Sequence, residues 1–234
     1  MSETIECEQK RKMPPKELFM RYSLAVVSLF FSALGVALTK KGDLGVSPIS
    51  STANILSMKF TELSLGSWLI IWNCALILGQ ILILRKKFQW IQLLQIPLSF
   101  VFGWFTDLGM WLVSSFEWDF YPLRLALTVS GTIVLGFGIT LSVIANVIMN
   151  SGEAFVKAIS DTIHKDFGIL KIVFDITCVV IAVLLSLLFF GDIRGTREGT
   201  IIAALCVGVV VKLFMKLIGK PINNILCGKK RSEQ

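Results

Sequence analysis

The chain has 234 residues, 54% of them hydrophobic and only 17% charged, with a mean hydropathy of +0.74. That balance excludes a soluble domain and predicts an all-α integral membrane protein, because the apolar residues come in runs long enough to cross a bilayer as helices. The formal charge of +7 does not point to nucleic acid. The basic residues cluster beside apolar runs, where the positive-inside rule puts them, and no basic face alternates with stacking aromatics.

Residues 1–17 form a polar N-terminal tail expected in the cytoplasm. The first apolar run, Leu18 to Leu38, is longer than a signal-peptide core and no small-residue cleavage site follows it, so it predicts a retained span over 18–39. "KKGDLGVSPISS" follows, residues 40–51. Lys40, Lys41 and Asp43 read as a wet shoulder, Gly42 and Gly45 relax the backbone, Ser47 suits an N-cap, and Pro48 suits the first helical position. A short helix is predicted over 48–60, with Ser50, Ser51, Asn54 and Ser57 on a neutral hydrogen-bonding face and Ile49, Ala53, Leu56 and Phe60 opposite. A helix lying on a membrane carries charges on its wet face, and here only Lys59 does so. Two readings stay open: a re-entrant half-helix whose amides and hydroxyls face a polar cavity, and an interfacial helix packed on the bundle.

Further spans are predicted over 66–84 and 90–113, then an acidic aromatic extracytoplasmic loop over 115–122, then a glycine-rich span over 123–146. A second short helix is predicted over 152–164. Asn146, Asn150, Ser151 and Glu153 lie close together where that span ends, and such groups are costly beside lipid, so they are expected to face the bundle interior. Glu153 in a first helical turn also suits the helix dipole, which would make it structural. Lys157, Asp161 and Lys165, with His164 beside them, form a ladder expected on a solvated face. Asp175 falls one turn into a span over 169–190 and is a functional candidate as an intramembrane carboxylate; Lys171, four residues earlier, could instead neutralise it. A sixth span is predicted over 199–218, before a basic cytoplasmic tail over 219–234. Asp107 and Lys212, within spans, are expected to snorkel to the nearest interface.

With the N-terminus inside, sixteen Lys and Arg residues fall on the cytoplasmic side and six on the other, so both termini are expected in the cytoplasm. The halves also align. "RYSLAVVSLFFSALGVAL" from Arg21 matches "RLALTVSGTIVLGFGITL" from Arg124 at an offset of 103 residues, and Ser47-Pro48 meets Gly152-Glu153 at 105. Each unit, 18–114 and 123–218, carries three spans, so the second copy enters the membrane in the opposite direction. The predicted fold is a bundle of six transmembrane helices in two inverted three-helix repeats, each with an extra short or re-entrant helix.

No P-loop, GxSxG, HExxH or catalytic carboxylate pair is present, the five cysteines show no CxxC spacing, and His164 is the lone histidine. The expectation is therefore no enzyme, no cofactor and no metal.

The segments "GVALTKKGDLGVSPISS" from Gly35, "LLQIPLSFVFG" from Leu93, "VIANVIMNSGEAFVKAIS" from Val143, "FGILKIVFD" from Phe167 and "REGTIIAALCVG" from Arg197 resemble the YczE/YyaS/YitT-like family of bacterial integral membrane proteins. The chain looks closer to the YczE branch than to the YitT branch, which adds a soluble C-terminal domain. Lys41 and Asn146 depart from the pattern, standing where the family has a small apolar residue and an acid or small residue, which puts proton coupling at position 146 in doubt. The resemblance implies a bacterial cytoplasmic-membrane protein and carries no defined function.

The functional expectation is a small secondary transporter of a polar or anionic solute, working by alternating access. Its substrate-binding residues would be Ser47, Ser50, Ser51, Asn54, Asn146, Asn150, Glu153 and Asp175. The alternative is a non-transporting accessory or scaffold protein that binds a partner or lipid. Expected partners are the lipid bilayer, a small solute and a second copy of the chain, with no nucleic acid.

Overall fold

The computed structural model describes residues 14–85, 88, 90–115, 120–147, 150–165, 167–195 and 198–226. Among these residues the chain is helical throughout: α1 Pro15–Gly42, a short α2 Pro48–Lys59, α3 Leu65–Leu84, a 3₁₀ turn Trp90–Leu94 leading into α4 Gln95–Ser114, α5 Tyr121–Ala145, a short α6 Ser151–Ile163, α7 Phe167–Phe190 and α8 Glu198–Leu226. Five helical stretches are long and apolar enough to cross a membrane: Pro15–Gly42, Leu65–Leu84, Gln92–Ser114, Tyr121–Ala145 and Ile169–Phe190. The molecule is an all-helical, multi-pass integral membrane protein. The predicted sixth span lies in α8, which is not among the five; Lys212, Lys216 and Lys220 are exposed along it. The predicted loop residues 116–119, with Trp118, and Arg197 fall outside the described residues.

The frame is an antiparallel pair, α1 against α5, the most extensive helix contact in the bundle. Glycine permits it: Gly42 packs on Thr128, Gly35 on the backbone of Leu135, and Gly138 on Ser32 and Ser28, so the two helices run in opposite directions at backbone contact. Each end is held by an arginine from the other half. Arg21, 2% exposed, donates to the carbonyls of Ile144 and Ala145 at 3.3 and 3.2 Å, and pairs with Glu17 at 2.9 Å. Arg124 lies 3.7 Å from Asp43 at the end of α1. A helix C-terminus has unsatisfied carbonyls and favours a cation, which accounts for Arg21 being buried there.

α4 packs on α1 and α8 on α5, whereas the short helices cross over, α2 resting on α7 and α6 on α3. The chain leaves α1 and α5 by the same backbone device. Asp43 and Asn146 take the left-handed conformation (φ 54° and 47°), and Ser47 and Asn150 precede the short helices in extended conformation (φ −57°, ψ 149° and φ −59°, ψ 144°). Both correspondences are offset by 103 residues, the same as the long helices. This corrects the expected pairing of Ser47-Pro48 with Gly152-Glu153: Pro48 corresponds to Ser151, since both begin a short helix.

These breaks turn back into the bundle. Leu44, Gly45 and Val46 are buried, and the side chain of Ile49, second in α2, lies against Gly152, second in α6. α2 then returns to the end of the bundle it came from, where Phe60 and Lys59 meet the ring of Phe189 near the end of α7. Seven of its twelve residues are buried, on both the polar and the apolar side. A helix on a membrane surface would leave one face exposed, so the burial favours the re-entrant reading. Non-helical backbone at this depth is tolerated because protein, not lipid, surrounds it.

Asp107 is a further correction. Instead of snorkelling, it accepts hydrogen bonds from the hydroxyl of Ser64 at 2.6 Å and from the N–H of Gly66 at 2.8 Å, capping the start of α3. Asp107→Ala is therefore expected to cost about 0.5–2 kcal/mol, the range for a lost helix-capping group, read as a lower melting temperature of the purified protein. Asp107→Asn, which keeps an acceptor oxygen, should lose less.

Candidate functional site

Three groups of buried or half-buried polar residues lie around the two short helices. At the far end of α1, the Lys40 ammonium donates to Asn54 Oδ1, and Asn54 Nδ2 donates to the carbonyl of Gly195 at 3.1 Å. Lys40 is half-buried and α1 continues through it, so of the predicted wet shoulder only Asp43 is fully exposed. Lys41 reaches the carbonyl of Ser114 at 3.2 Å. Ser47, Ser50 and Ser51 begin α2 beside this group: Ser47 Oγ donates to Ser50 Oγ at 3.1 Å, and Ser51 Oγ donates to the Ser47 carbonyl at 3.0 Å. Ser47 thus starts the helix by its backbone conformation, with no hydrogen bond from its side chain to the helix backbone.

The second group surrounds the start of α6. Asn150 caps the helix, its Oδ1 accepting from the N–H of Ser151 at 2.9 Å. Gln80 of α3 and Gln95 of α4, 0% and 4% exposed, exchange amide hydrogen bonds of 3.1 and 3.3 Å, and Gln80 Nε2 also donates to the carbonyl of Ser151 at 3.0 Å. A cavity of about 20 Å³ opens here. It lies among Asn150, Ser151, Gln95, Ser28, Ser99 and Ser142 on one hand and Ala25, Leu29, Leu98 and Phe102 on the other, and most of the surface it exposes is apolar. The hydroxyl of Ser151, 2% exposed, has no hydrogen-bond partner among the described residues. Asn146, at the end of α5, does not line the cavity; its N–H closes the helix on the Ser142 carbonyl at 3.2 Å.

The third group is ionic. Lys171 Nζ holds both oxygens of Asp175, at 2.5 and 2.6 Å, one turn apart on α7. The neutralising reading of Asp175 is the one observed. Glu153, half-buried on α6, is near enough to feel both charges. The Lys157, Asp161, His164 and Lys165 face is exposed, as expected.

The predicted residues are thus all near the short helices, but they line no single chamber. Sequence reasoning missed Lys40, Gln80, Gln95, Ser28 and Ser99. Gln80 and Gln95 carried a usable signal, since an amide within or beside an apolar run is expensive unless it meets another helix.

The model of a family described as of unknown function, DUF6198, matches residues 19–216. No curated protein and no solved structure matches the chain.

Proposed function

The chain belongs to the DUF6198 family, which has no known function, and we propose from its own residues that it is a small secondary transporter of a polar or anionic solute. In this reading α8 is the sixth span, and residues 18–114 and 123–218 are inverted repeats about an axis in the membrane plane, both termini cytoplasmic, in a bacterial cytoplasmic membrane. The likeness to the YczE branch is part of the proposal. One observation carries it: the two short helices bring their N-terminal ends together inside the bundle, Ile49 against Gly152, with hydroxyls and amides buried around them. Half-helix N-termini at a repeat interface are where carriers hold polar or anionic groups.

The conformation is closed, since a cavity of about 20 Å³ admits little more than a water molecule. Substrate entry requires the short helices to part. Glu153, beside the Lys171–Asp175 pair, is the group placed to exchange a proton with the cycle, while Ser47, Ser50, Ser51, Asn54 and Asn150 supply hydrogen bonds to the solute.

The test is flux into liposomes carrying purified protein, with a pH-sensitive dye inside and inward gradients of small anions and neutral polar solutes outside. Saturable, protein-dependent flux is expected for at least one solute, with proton movement lost in Glu153→Gln. Flux unchanged in both Glu153→Gln and Asp175→Asn would remove these carboxylates from the mechanism. Protein that binds a solute of the panel and moves none of them would favour the accessory role.

A further inference from the structure

We propose that the outward face of α8, which carries Lys212, Lys216 and Lys220, binds an anionic phospholipid. The site is independent of the carrier reading and needs only that α5 crosses the bilayer.

Where these lysines stand follows from how α8 lies on α5. Gly199 is set against Thr128, Val207 and Val210 against Gly136, and the ring of Phe214 meets that of Phe137 with centroids 5.3 Å apart. The two helices therefore run in the same direction. From Phe137, α5 continues for eight residues to Ala145, about 12 Å at about 1.5 Å per residue. Lys212, between Val210 and Phe214, is thus alongside the span and not past it. Lys216 and Lys220 follow one turn apart, toward the level where α5 ends. All three are exposed, and among the described residues none of them has a hydrogen bond or an ion pair.

That sets them apart from the lysines matched inside the molecule, Lys171 by Asp175, Lys40 by Asn54 and Lys41 by the Ser114 carbonyl. No acidic residue occurs from Gly199 to Leu226. Like charges one turn apart repel, and a cation beside lipid is costly; an anion set against the three relieves both. Snorkelling brings the ammoniums toward one level of the bilayer, and the phosphate of an anionic lipid is the group that neutralises them there.

The flanks suit the rest of such a lipid. Val209, Leu213 and Leu217 are exposed beside the lysines. A Cβ on Gly208 would meet nothing within 4 Å, which leaves room for an acyl chain one turn before Lys212. Gly103 of α4, 105 residues earlier, is instead covered by Ile70 and the Gly66 carbonyl of α3; α7 and α8 make no comparable contact among the described residues. A second copy of the chain is a poor occupant, because a twofold pair joined through this face sets its lysines against the same lysines.

The experiment follows the apparent melting temperature of the full chain in dodecyl maltoside while phosphatidylglycerol, or phosphatidylcholine with the same acyl chains, is added to the micelles. A ligand held by the folded state raises it. Phosphatidylglycerol is expected to give a saturable rise that phosphatidylcholine does not. Lys212→Gln, Lys216→Gln and Lys220→Gln together should move the titration to higher lipid, about fivefold for each charge removed, and arginine at the same positions should restore it. Lys157→Gln with Lys165→Gln, on an exposed face elsewhere, should leave it unchanged. An equal rise with both lipids, no rise with phosphatidylglycerol, or a titration unaltered in the triple variant would each overturn the site. So would equal weakening in the Lys157 and Lys165 variant, the mark of a general attraction between charges. A matching rise with glycerol phosphate would make the ligand a free phosphate and overturn it likewise. Should the triple variant fold poorly, Lys216→Gln alone is expected to weaken binding about fivefold; undiminished binding in that folded protein would equally count against the site.

Discussion

Gly35→Leu is expected to abolish assembly of the folded bundle. A Cβ at Gly35 would stand 2.5 Å from the backbone nitrogen of Leu135 and 2.7 Å from its Cα. No rotamer change relieves a clash with backbone; α1 and α5 would have to separate along their length. Overpacking against movable side chains already costs about 1–3 kcal/mol, and here the resisting atoms belong to the helix that frames the other half of the molecule. Gly138→Leu should behave alike, because its Cβ would lie 2.5 Å from the backbone nitrogen of Ser32 on α1. Gly208→Ala on α8 is the control: a Cβ there meets nothing within 4 Å, and alanine is the better helix former by about 1 kcal/mol. Size-exclusion profile and melting temperature of detergent-purified protein give the readout. A monodisperse Gly35→Leu protein melting like the wild type would mean that the α1–α5 contact is not the seam of the fold.

How far such features could be read from sequence depends on whether their cause is local. The first five spans and both short helices were legible to within about five residues, because apolar run length and polar helix starts are properties of adjacent residues; the sixth was not, since α8 runs on to Leu226 and is not among the helices apolar enough to span. The Lys171–Asp175 pair was legible as an alternative for the same reason, being one helical turn apart. Lys40 was misread because a lysine after an apolar run looks like an exit into water; its burial depends on Asn54, and through it on the Gly195 carbonyl from the other half. Asp107 was misread likewise, as its partners Ser64 and Gly66 lie on another helix. The 103-residue spacing of the two chain breaks was not legible from residue types, since it shows in the left-handed conformation of Asp43 and Asn146.

Joining the two short helices should stop any transport cycle. If solute enters as one half rocks against the other, the N-termini of α2 and α6 must separate, because the cavity beside them is too small to be reached otherwise. A Cβ on Gly152 would lie 3.2 Å from Ile49 Cγ2 and 3.6 Å from Cγ1. That brings the two Cβ atoms near the separation of about 3.5–4.5 Å that a disulfide spans. In a background without the five native cysteines, the pair Ile49→Cys and Gly152→Cys is expected to cross-link on mild oxidation. Flux in liposomes should then fall to the protein-free rate and return on reduction. Each single variant should keep its flux under the same oxidant, which separates the lock from the effect of altering either residue. Cross-linked protein that still transports at the reduced rate would show that the short helices stay together during turnover, and would leave no place for rocking between the halves.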